Sequence, residues 1–336
     1  MLLNPEQSRI LFQDALEHHY AVLAVNADSP AAITDCLEAA RHCGSPIIIE
    51  TSLWQLTGRS FSAGDAIAGL TNYAIQLAQR ANAPPYDELP ILLHTDHIKG
   101  PQTVELLTRA IRGLPLGLNG EIHSVSPSTI SLDSSELSES ENIDIVCRLC
   151  EAARVHQRPV TLEMEAGVDD GLTPPDVAQR LLRGVEQNFP DCVWLWAPGV
   201  GTRHGLSECG FPEFSAEAVE RQRLLAREIT NRDIGIVLHG SSGLSSESLQ
   251  AAVAAGVVKV NWSSESLKSR SAAAADFYRR HEVQLRPGHP EFKQTSMDNG
   301  VQSFVSQRYV PVVADRIELL GAKGKSEGAM ARIRKG

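Results

Sequence analysis

Short apolar segments alternate with helix-like segments along most of the chain, and this alternation constrains the fold more than any other feature. Eight segments are predicted to be strands, at residues 21–27, 46–52, 90–97, 128–134, 159–165, 193–198, 234–240 and 256–262. Several are apolar throughout, as expected for parallel strands covered on both faces. Eight successive repeats in 336 residues favour a closed (β/α)8 barrel, an α/β TIM barrel, over an open sheet.

The main alternative among α/β folds is a dinucleotide-binding sheet, which would place G-x-G-x-x-G after the first strand. The segment VLAVNADSP lacks it. An N-terminal helix is predicted from Pro5, with Asn4 as its N-cap. After residue 280 the pattern becomes irregular, then predicts a helix around 301–320. We therefore predict one barrel domain over residues 1–320 and a basic, solvated, poorly ordered tail over 321–336.

Charge and composition exclude several classes of partner. The net charge of −10 argues against a broad nucleic-acid-binding face, which needs clustered lysine and arginine. The N-terminus does not resemble a secretory signal, and no run of about 18 apolar residues could span a membrane. We expect a cytoplasmic protein with reduced thiols. Cys147 and Cys150 form a C-x-x-C within a helical pattern, and we interpret them as packing residues rather than a metal site.

Polar residues cluster where the predicted strands end. In a (β/α)8 barrel these ends meet at one mouth, where catalysis takes place. The residues at or just past the strand ends are Asn26, Ser52, Asp96, His97, Asp133, Glu165, His204, His239 and Asn261. The three histidines are 107 and 35 residues apart, so no local spacing is a metal signature. If they converge, they could hold a catalytic zinc ion with one open position. A single strand-end histidine is more often a core or rim residue, so both interpretations remain open.

Two glycine- and serine-rich loops follow the seventh and eighth strands. HGSSG at 239–243 precedes a predicted helix, and NWSSES at 261–266 offers a similar turn beside it. Glycine permits close backbone approach, and a helix N-terminus offers free N–H groups to an anion such as phosphate. Loops of this composition also serve simply as turns.

Several stretches, taken in order, resemble the class II, metal-dependent fructose-bisphosphate aldolases and their tagatose-bisphosphate relatives. They are YAVLAVNA, LLHTDH, ISLDSS, LEMEAG, GVGTRHG, VLHGSSG and VVKVNWSS. The resemblance spans roughly residues 5–280, and RIELLGAKGKS near the end is also similar to the family's C-terminal segment. LHTDH, GTxHG and HGxSG, each at a strand end, form a specific combination.

The resemblance implies a role for each matching residue. His97, His204 and His239 would bind the catalytic zinc, and Asp96 would transfer the proton at the bond being broken. Glu165 and Asp133 would belong to a secondary or alternative metal position in the same mouth, with a second divalent or monovalent cation as one possibility. The implied reaction makes or breaks a C–C bond in a ketose-type substrate through a zinc-stabilised enediolate. The candidate substrate-binding residues are Asn26, Ser52, Gly205, Gly240, Ser242, Asn261, Ser263 and Ser264.

The sequence departs from the family where substrate would be held. Glu208 stands where a phosphate-binding lysine usually follows GTxHG, and Ser263–Ser264 replaces an Asp–Thr pair. The loop GVDDGLTPP is short, so its acid could be Asp169 or Asp170. The arginine segment that meets the far phosphate is not recognisable. We therefore expect a zinc-dependent aldolase with a non-standard substrate in a specialised pathway.

Four other interpretations remain. The chain could be an ordinary fructose-1,6-bisphosphate aldolase whose phosphate is held by Arg203 or by basic residues of the tail. It could be a zinc-dependent barrel hydrolase, although AVLAVNA lacks the H-x-H pair such enzymes often carry. It could be a Schiff-base aldolase using Lys259, or a non-catalytic binding module. We expect a sugar or sugar-phosphate substrate and a homo-oligomer, a dimer or tetramer.

Overall fold

Eight parallel strands close into a barrel in the order β1-β2-β3-β6-β7-β8-β9-β10. The computed structural model describes residues 1–99, 103–118, 121–134, 136–167, 169, 171–206 and 213–336. The strands are β1 Val22–Asn26, β2 Ile47–Thr51, β3 Ile91–Ile98, β4 Leu114–Leu118, β5 Glu121–Val125, β6 Thr129–Leu132, β7 Leu162–Ala166, β8 Val193–Pro198, β9 Gly235–Leu238 and β10 Val257–Trp262. β1 pairs with both β2 and β10, which closes the sheet. All eight predicted strands are present, and the predicted (β/α)8 barrel is confirmed.

Helices surround the barrel and follow most strands. They are α1 Pro5–Glu17, α2 Pro30–Cys43, α3 Leu53–Thr57, α4 Ala66–Ala81, α5 Thr103–Arg112, α6 Glu139–Val155, α7 Pro175–Glu186, α8 Ala216–Thr230, α9 Ser246–Ala254, α10 Ser264–Arg280, α11 Phe292–Ser296, α12 Asp298–Leu319 and α13 Ser326–Ile333. The predicted N-terminal helix is present. The Asn4 side chain accepts from the Gln7 N–H at 2.8 Å, and the Gln7 side chain accepts from the Asn4 N–H at 3.0 Å. This capping box satisfies two N–H groups of the first turn and fixes where α1 begins.

The N-terminal helix α1 covers the end of the barrel where the strands begin. Ser8 Oγ donates to the Ser128 carbonyl at 3.0 Å, just before β6, and the Arg9 guanidinium donates to the Val160 carbonyl, just before β7. The opposite end, where the strands finish, is the mouth. Among the described residues, none of the helices is long and apolar enough to cross a membrane.

The hairpin formed by β4 and β5 was not predicted. It pairs antiparallel, Leu114 opposite Val125 and Leu116 opposite His123, and stands outside the barrel order. Its first strand, LPLGL, contains a proline and a glycine, residues that are depleted in strands. The prediction failed because this local composition points away from a strand.

The prediction of a solvated, poorly ordered tail was wrong. Residues 321–336 include α13, which packs against α1. Ala329, Met330 and Ile333 are buried, at spacings that put them on one helix face. The Arg332 guanidinium binds both carboxylate oxygens of Glu17. Among the basic residues of this segment, Arg332 therefore links α13 to α1, while Lys323, Arg334 and Lys335 are exposed.

The two C-x-x-C cysteines lie on α6, as predicted. Cys150 is buried and Cys147 is partly buried, and every described cysteine is a free thiol. This placement agrees with the interpretation of both as packing residues.

Candidate active site

His97 reaches the mouth through an irregularity in β3. The pairing of β3 with β6 shifts register between Thr95 and Ile98, which is the mark of a β-bulge. Within it His97 has φ 47°, a left-handed conformation that is costly for a residue with a side chain. Such strain at a strand end is typical of functional residues, and here it turns the imidazole towards two other histidines.

Three imidazoles meet at the mouth. His97 Nε2 lies 2.6 Å from His204 Nε2 and 3.1 Å from His239 Nδ1. The rings stand nearly perpendicular to one another, at interplanar angles between 73° and 87°. The side chains come from β3, the loop after β8 and the end of β9, so they meet only because the barrel closes. His239 is buried, whereas His204 faces solvent, so the cluster is open on one side.

Two carboxylates stand behind His97. Its Nδ1 lies 3.0 Å from Asp133 Oδ2 and 3.1 Å from Glu165 Oε2. The Ser131 hydroxyl donates to the other oxygen of Glu165. Burial lowers the pKa of His97, but Glu165 and Asp133 outweigh it and raise that pKa to about 12. Both carboxylates contact Nδ1, so Asp133 and Glu165 hold the imidazole ring with its Nε2 towards the other two histidines.

The other two histidines each have a carboxylate partner of their own. His204 Nδ1 lies 2.9 Å from Asp169 Oδ1, which also accepts from the His204 backbone N–H at 2.7 Å. His239 Nε2 lies 2.8 Å from Glu163 Oε1. A carboxylate on one ring nitrogen keeps the proton there and leaves the other nitrogen's lone pair free. All three histidines therefore turn the ring nitrogen that has no carboxylate partner towards one point, where a metal ion can take the place of a proton, and this arrangement fits Zn²⁺ with three protein ligands.

Asp96 precedes His97 in the sequence, and its carboxylate lies between two side-chain amides. Asn26 Nδ2 donates to Asp96 Oδ2 at 2.9 Å, and Asn261 Nδ2 donates to Oδ1 at 2.8 Å. Burial raises the pKa of Asp96, but His97 and His239 lower it more, to about 2. The group is therefore a carboxylate at neutral pH and can accept a proton.

A buried charge network lies beneath the histidines. Lys259 Nζ is 2.7 Å from Glu163 Oε2, 3.0 Å from His94 Nε2 and 3.8 Å from Glu50 Oε2. All four side chains are fully buried. Burial lowers the pKa of Lys259, but Glu163 and Glu50 raise it above its usual range. The side chain of Lys259, the residue considered above for a Schiff base, therefore lies inside the barrel with these partners.

Three residues of the site were not predicted from the sequence: Glu163, His94 and Glu50. One pattern could have found Glu163: Glu163 and Glu165 are two residues apart on one strand, so their side chains point to the same face. Lysine within the apolar run GVVKVNW is a second indication, because a buried ammonium requires carboxylate partners.

The loops after β9 and β10 lie together. Ser241 Oγ donates to the Asn261 carbonyl at 2.5 Å, and the Glu265 N–H donates to Ser242 Oγ at 3.3 Å. Gly240 has φ 60°, and a Cβ there would lie 2.5 Å from the Arg203 carbonyl oxygen. Only glycine fits so close an approach at that φ. The loop after β8, which carries His204, therefore packs directly on the HGSSG loop.

The remaining candidate residues occupy different places. Ser52 is the N-cap of α3, where its hydroxyl donates to Gln55 Oε1 at 2.6 Å. Gly205 follows His204 on the exposed rim, with φ 91°. Ser263 and Ser264 begin α10, beside the HGSSG loop. Asp170 and Glu208 lie outside the described residues.

Comparisons with known proteins agree on one family. The family model "Fructose-bisphosphate aldolase class-II" matches residues 6–325. Fructose-bisphosphate aldolase 1 of Paracoccidioides lutzii is 27% identical and covers 84% of this chain and 83% of its own. Fructose-bisphosphate aldolase of Haemophilus influenzae is 29% identical and covers 85% of each. The fold matches fructose-bisphosphate aldolase of Campylobacter jejuni with a TM-score of 0.79 at 20% identity, over 96% of this chain and 97% of that one.

Proposed function

This chain belongs to the class-II fructose-bisphosphate aldolase family, and on that premise we propose that His97, His204 and His239 bind a catalytic zinc ion. Members of the family are metal-dependent lyases that make or break a C–C bond, and this chain is such an enzyme. Convergence of three carboxylate-backed imidazoles on one point supports the proposal most directly. A zinc ion bound there would supply a Lewis acid for a substrate carbonyl.

Asp96 is proposed as the acid–base residue of the reaction. Breaking the bond requires removal of the proton from the hydroxyl that becomes an aldehyde, and bond formation requires its return. The carboxylate is ionised and lies beside His97 in sequence, held by Asn26 and Asn261. Two amide donors fix its orientation and leave a lone pair on its oxygens for the substrate hydroxyl.

We propose a sugar or sugar-phosphate of the ketose type as substrate. The changed residues of the donor site, Ser263 and Ser264 among them, favour a substrate other than fructose 1,6-bisphosphate. One observation favours the ordinary substrate. The Arg203 backbone packs on Gly240, which puts an exposed arginine on the rim beside the HGSSG loop. An arginine there could bind a phosphate in place of the missing lysine.

Schiff-base chemistry at Lys259 is disfavoured. A lysine nucleophile must be a neutral amine, whereas the Lys259 ammonium is stabilised by Glu163 at 2.7 Å and its pKa is raised. Borohydride added with substrate would trap a Schiff base, and we expect no trapped adduct by mass spectrometry.

The deciding experiment is proton exchange of dihydroxyacetone phosphate in D₂O, followed by NMR with and without a chelator. Exchange that stops on chelation and returns with Zn²⁺ supports a metal-dependent donor site, and attention then moves to the aldehyde partner. If the zinc-loaded protein exchanges no proton of this donor, unphosphorylated hydroxyketones are tested in the same way. Exchange that is insensitive to chelator contradicts the proposal.

A further inference from the structure

A second group of potential metal ligands lies behind His97. Ligand atoms of His97, Asp133 and Glu165 lie within 4.8 Å of one another. Both carboxylates are buried, and two carboxylates in one place suit a hard divalent cation such as Mn²⁺ or Mg²⁺. These are the residues for which a second cation was expected.

A lysine already supplies positive charge to that group. Lys99, two residues after His97, places its Nζ 2.8 Å from Asp133 Oδ2. The same ammonium lies 2.9 Å from Glu136 Oε1. It is half exposed, so it approaches from the solvent side, while the Asp133 side chain is buried. Asp133 Oδ2 thus lies within reach of two nitrogens, Lys99 Nζ and His97 Nδ1.

A second metal ion would have to compete with both nitrogens. Binding to Asp133 would displace Lys99 or bring a dication next to its ammonium, and like charges at that distance repel strongly in a partly buried site. Glu165 cannot bind the second ion by itself, because one of its oxygens accepts a hydrogen bond from Ser131 and the other faces His97. The donor set therefore does not fit a second ion while Lys99 is present.

We propose that Lys99 is a tethered replacement for the second cation, so that the mouth binds one metal ion per chain. The inference rests on the proposed function only in assigning that one ion to the three histidines. It replaces the expectation that Asp133 and Glu165 hold a further ion. Their role is to orient His97, with Lys99 balancing part of their charge.

Manganese titration of the zinc-loaded, full-length protein tests this directly. EPR counts free Mn²⁺, and elemental analysis gives bound zinc per chain. We expect about one zinc and no bound Mn²⁺ for the wild type, and about one additional Mn²⁺ per chain for Lys99→Met. Lys323→Met is the matched control, because Lys323 pairs with the exposed Glu318 on the surface. Asp133→Asn added to Lys99→Met should abolish the gained Mn²⁺ site.

The outcomes separate the two proposals. Wild-type protein that binds a second equivalent of metal overturns the role of Lys99. So does folded, zinc-loaded Lys99→Met that binds no Mn²⁺. Wild-type protein that takes up no zinc contradicts the proposed function itself. Lys99→Arg retains the charge and should bind no Mn²⁺, which distinguishes loss of charge from loss of packing.

Discussion

Asp96 shows how much of the site depends on single residues. Its two oxygens accept hydrogen bonds from the side-chain amides of Asn26 and Asn261. An asparagine at position 96 would therefore place its own N–H group next to one of these N–H donors, with no acceptor between them. We expect Asp96→Asn to lower kcat by about 10²–10⁴-fold, the usual contribution of a general base, with zinc content unchanged. Asp144→Asn, on an exposed position of α6, is the control. Activity within a few-fold of the wild type would contradict the assignment.

Glu50 makes folding stability depend on pH. Burial and nearby Asp96 raise its pKa well above the usual range, although Lys259 opposes them. A carboxyl group with a raised folded-state pKa stabilises the fold fully below about pH 4, and that contribution is lost as pH rises towards the folded-state pKa. Glu50→Gln cannot ionise. The free energy of unfolding of the variant, relative to the wild type, should therefore rise by about 1–3 kcal/mol between pH 5 and pH 8.

Urea titrations at several pH values measure this difference. A difference between variant and wild type that stays constant with pH would mean that Glu50 titrates alike in the folded and unfolded chains.

Single residues of the site were predictable to different degrees. His97, His204 and His239 stand at strand ends, where a barrel brings side chains together, so their convergence followed from the strand pattern. The partners of Lys259 were not predicted because they come from other strands, Glu163 among them. Which buried charges pair across the barrel depends on strand register, and the sequence of one strand does not contain that information.

At the scale of elements, α3 and α4 approach so closely that only glycine fits between them. A Cβ at Gly69, on α4, would overlap the backbone carbonyl of Leu56 on α3. Although alanine is the better helix former by about 1 kcal/mol, we expect Gly69→Ala to destabilise the protein by about 1–3 kcal/mol. The shift of the urea unfolding midpoint measures the effect.

Gly328 on α13 provides the opposite case for comparison. An added Cβ there meets nothing within 4 Å, so Gly328→Ala should be neutral or stabilise by up to about 1 kcal/mol. If both substitutions shift the midpoint in the same direction, close approach of α3 and α4 is not what selects glycine at position 69.

Elements with strong periodicity were the ones predicted well. The eight barrel strands lie where the apolar segments predicted them, and α1 begins at Pro5, as predicted, because Asn4 caps its first turn. The β4–β5 hairpin was missed because pairing between its two strands, rather than local preference, holds it in place.

At the scale of the whole molecule, the C-terminal helix is part of the folded barrel. Met330 is 3% exposed between α13 and its neighbours. Truncation of such a side chain costs about 2–5 kcal/mol, so Met330→Ala should lower the melting temperature clearly. Lys335→Ala, at an exposed position five residues on, should not. Equal melting temperatures for the two variants would mean that α13 contributes little to stability. The sequence suggested a tail here because five of its sixteen residues are lysine or arginine and four are glycine, and the apolar residues that dock it stand singly or in pairs.

The helices α1 and α13 both lie on the side of the barrel away from the mouth. α1 covers the end of the barrel opposite the mouth, and α13 packs on α1, with Arg334 reaching Glu88 just before β3. A fusion partner or a solid support joined at Gly336 would therefore face away from the catalytic opening. In protein immobilised in this orientation, the mouth of each chain would face the surrounding solution. This orientation suits use of the protein as a surface-bound catalyst for carbon–carbon bond synthesis.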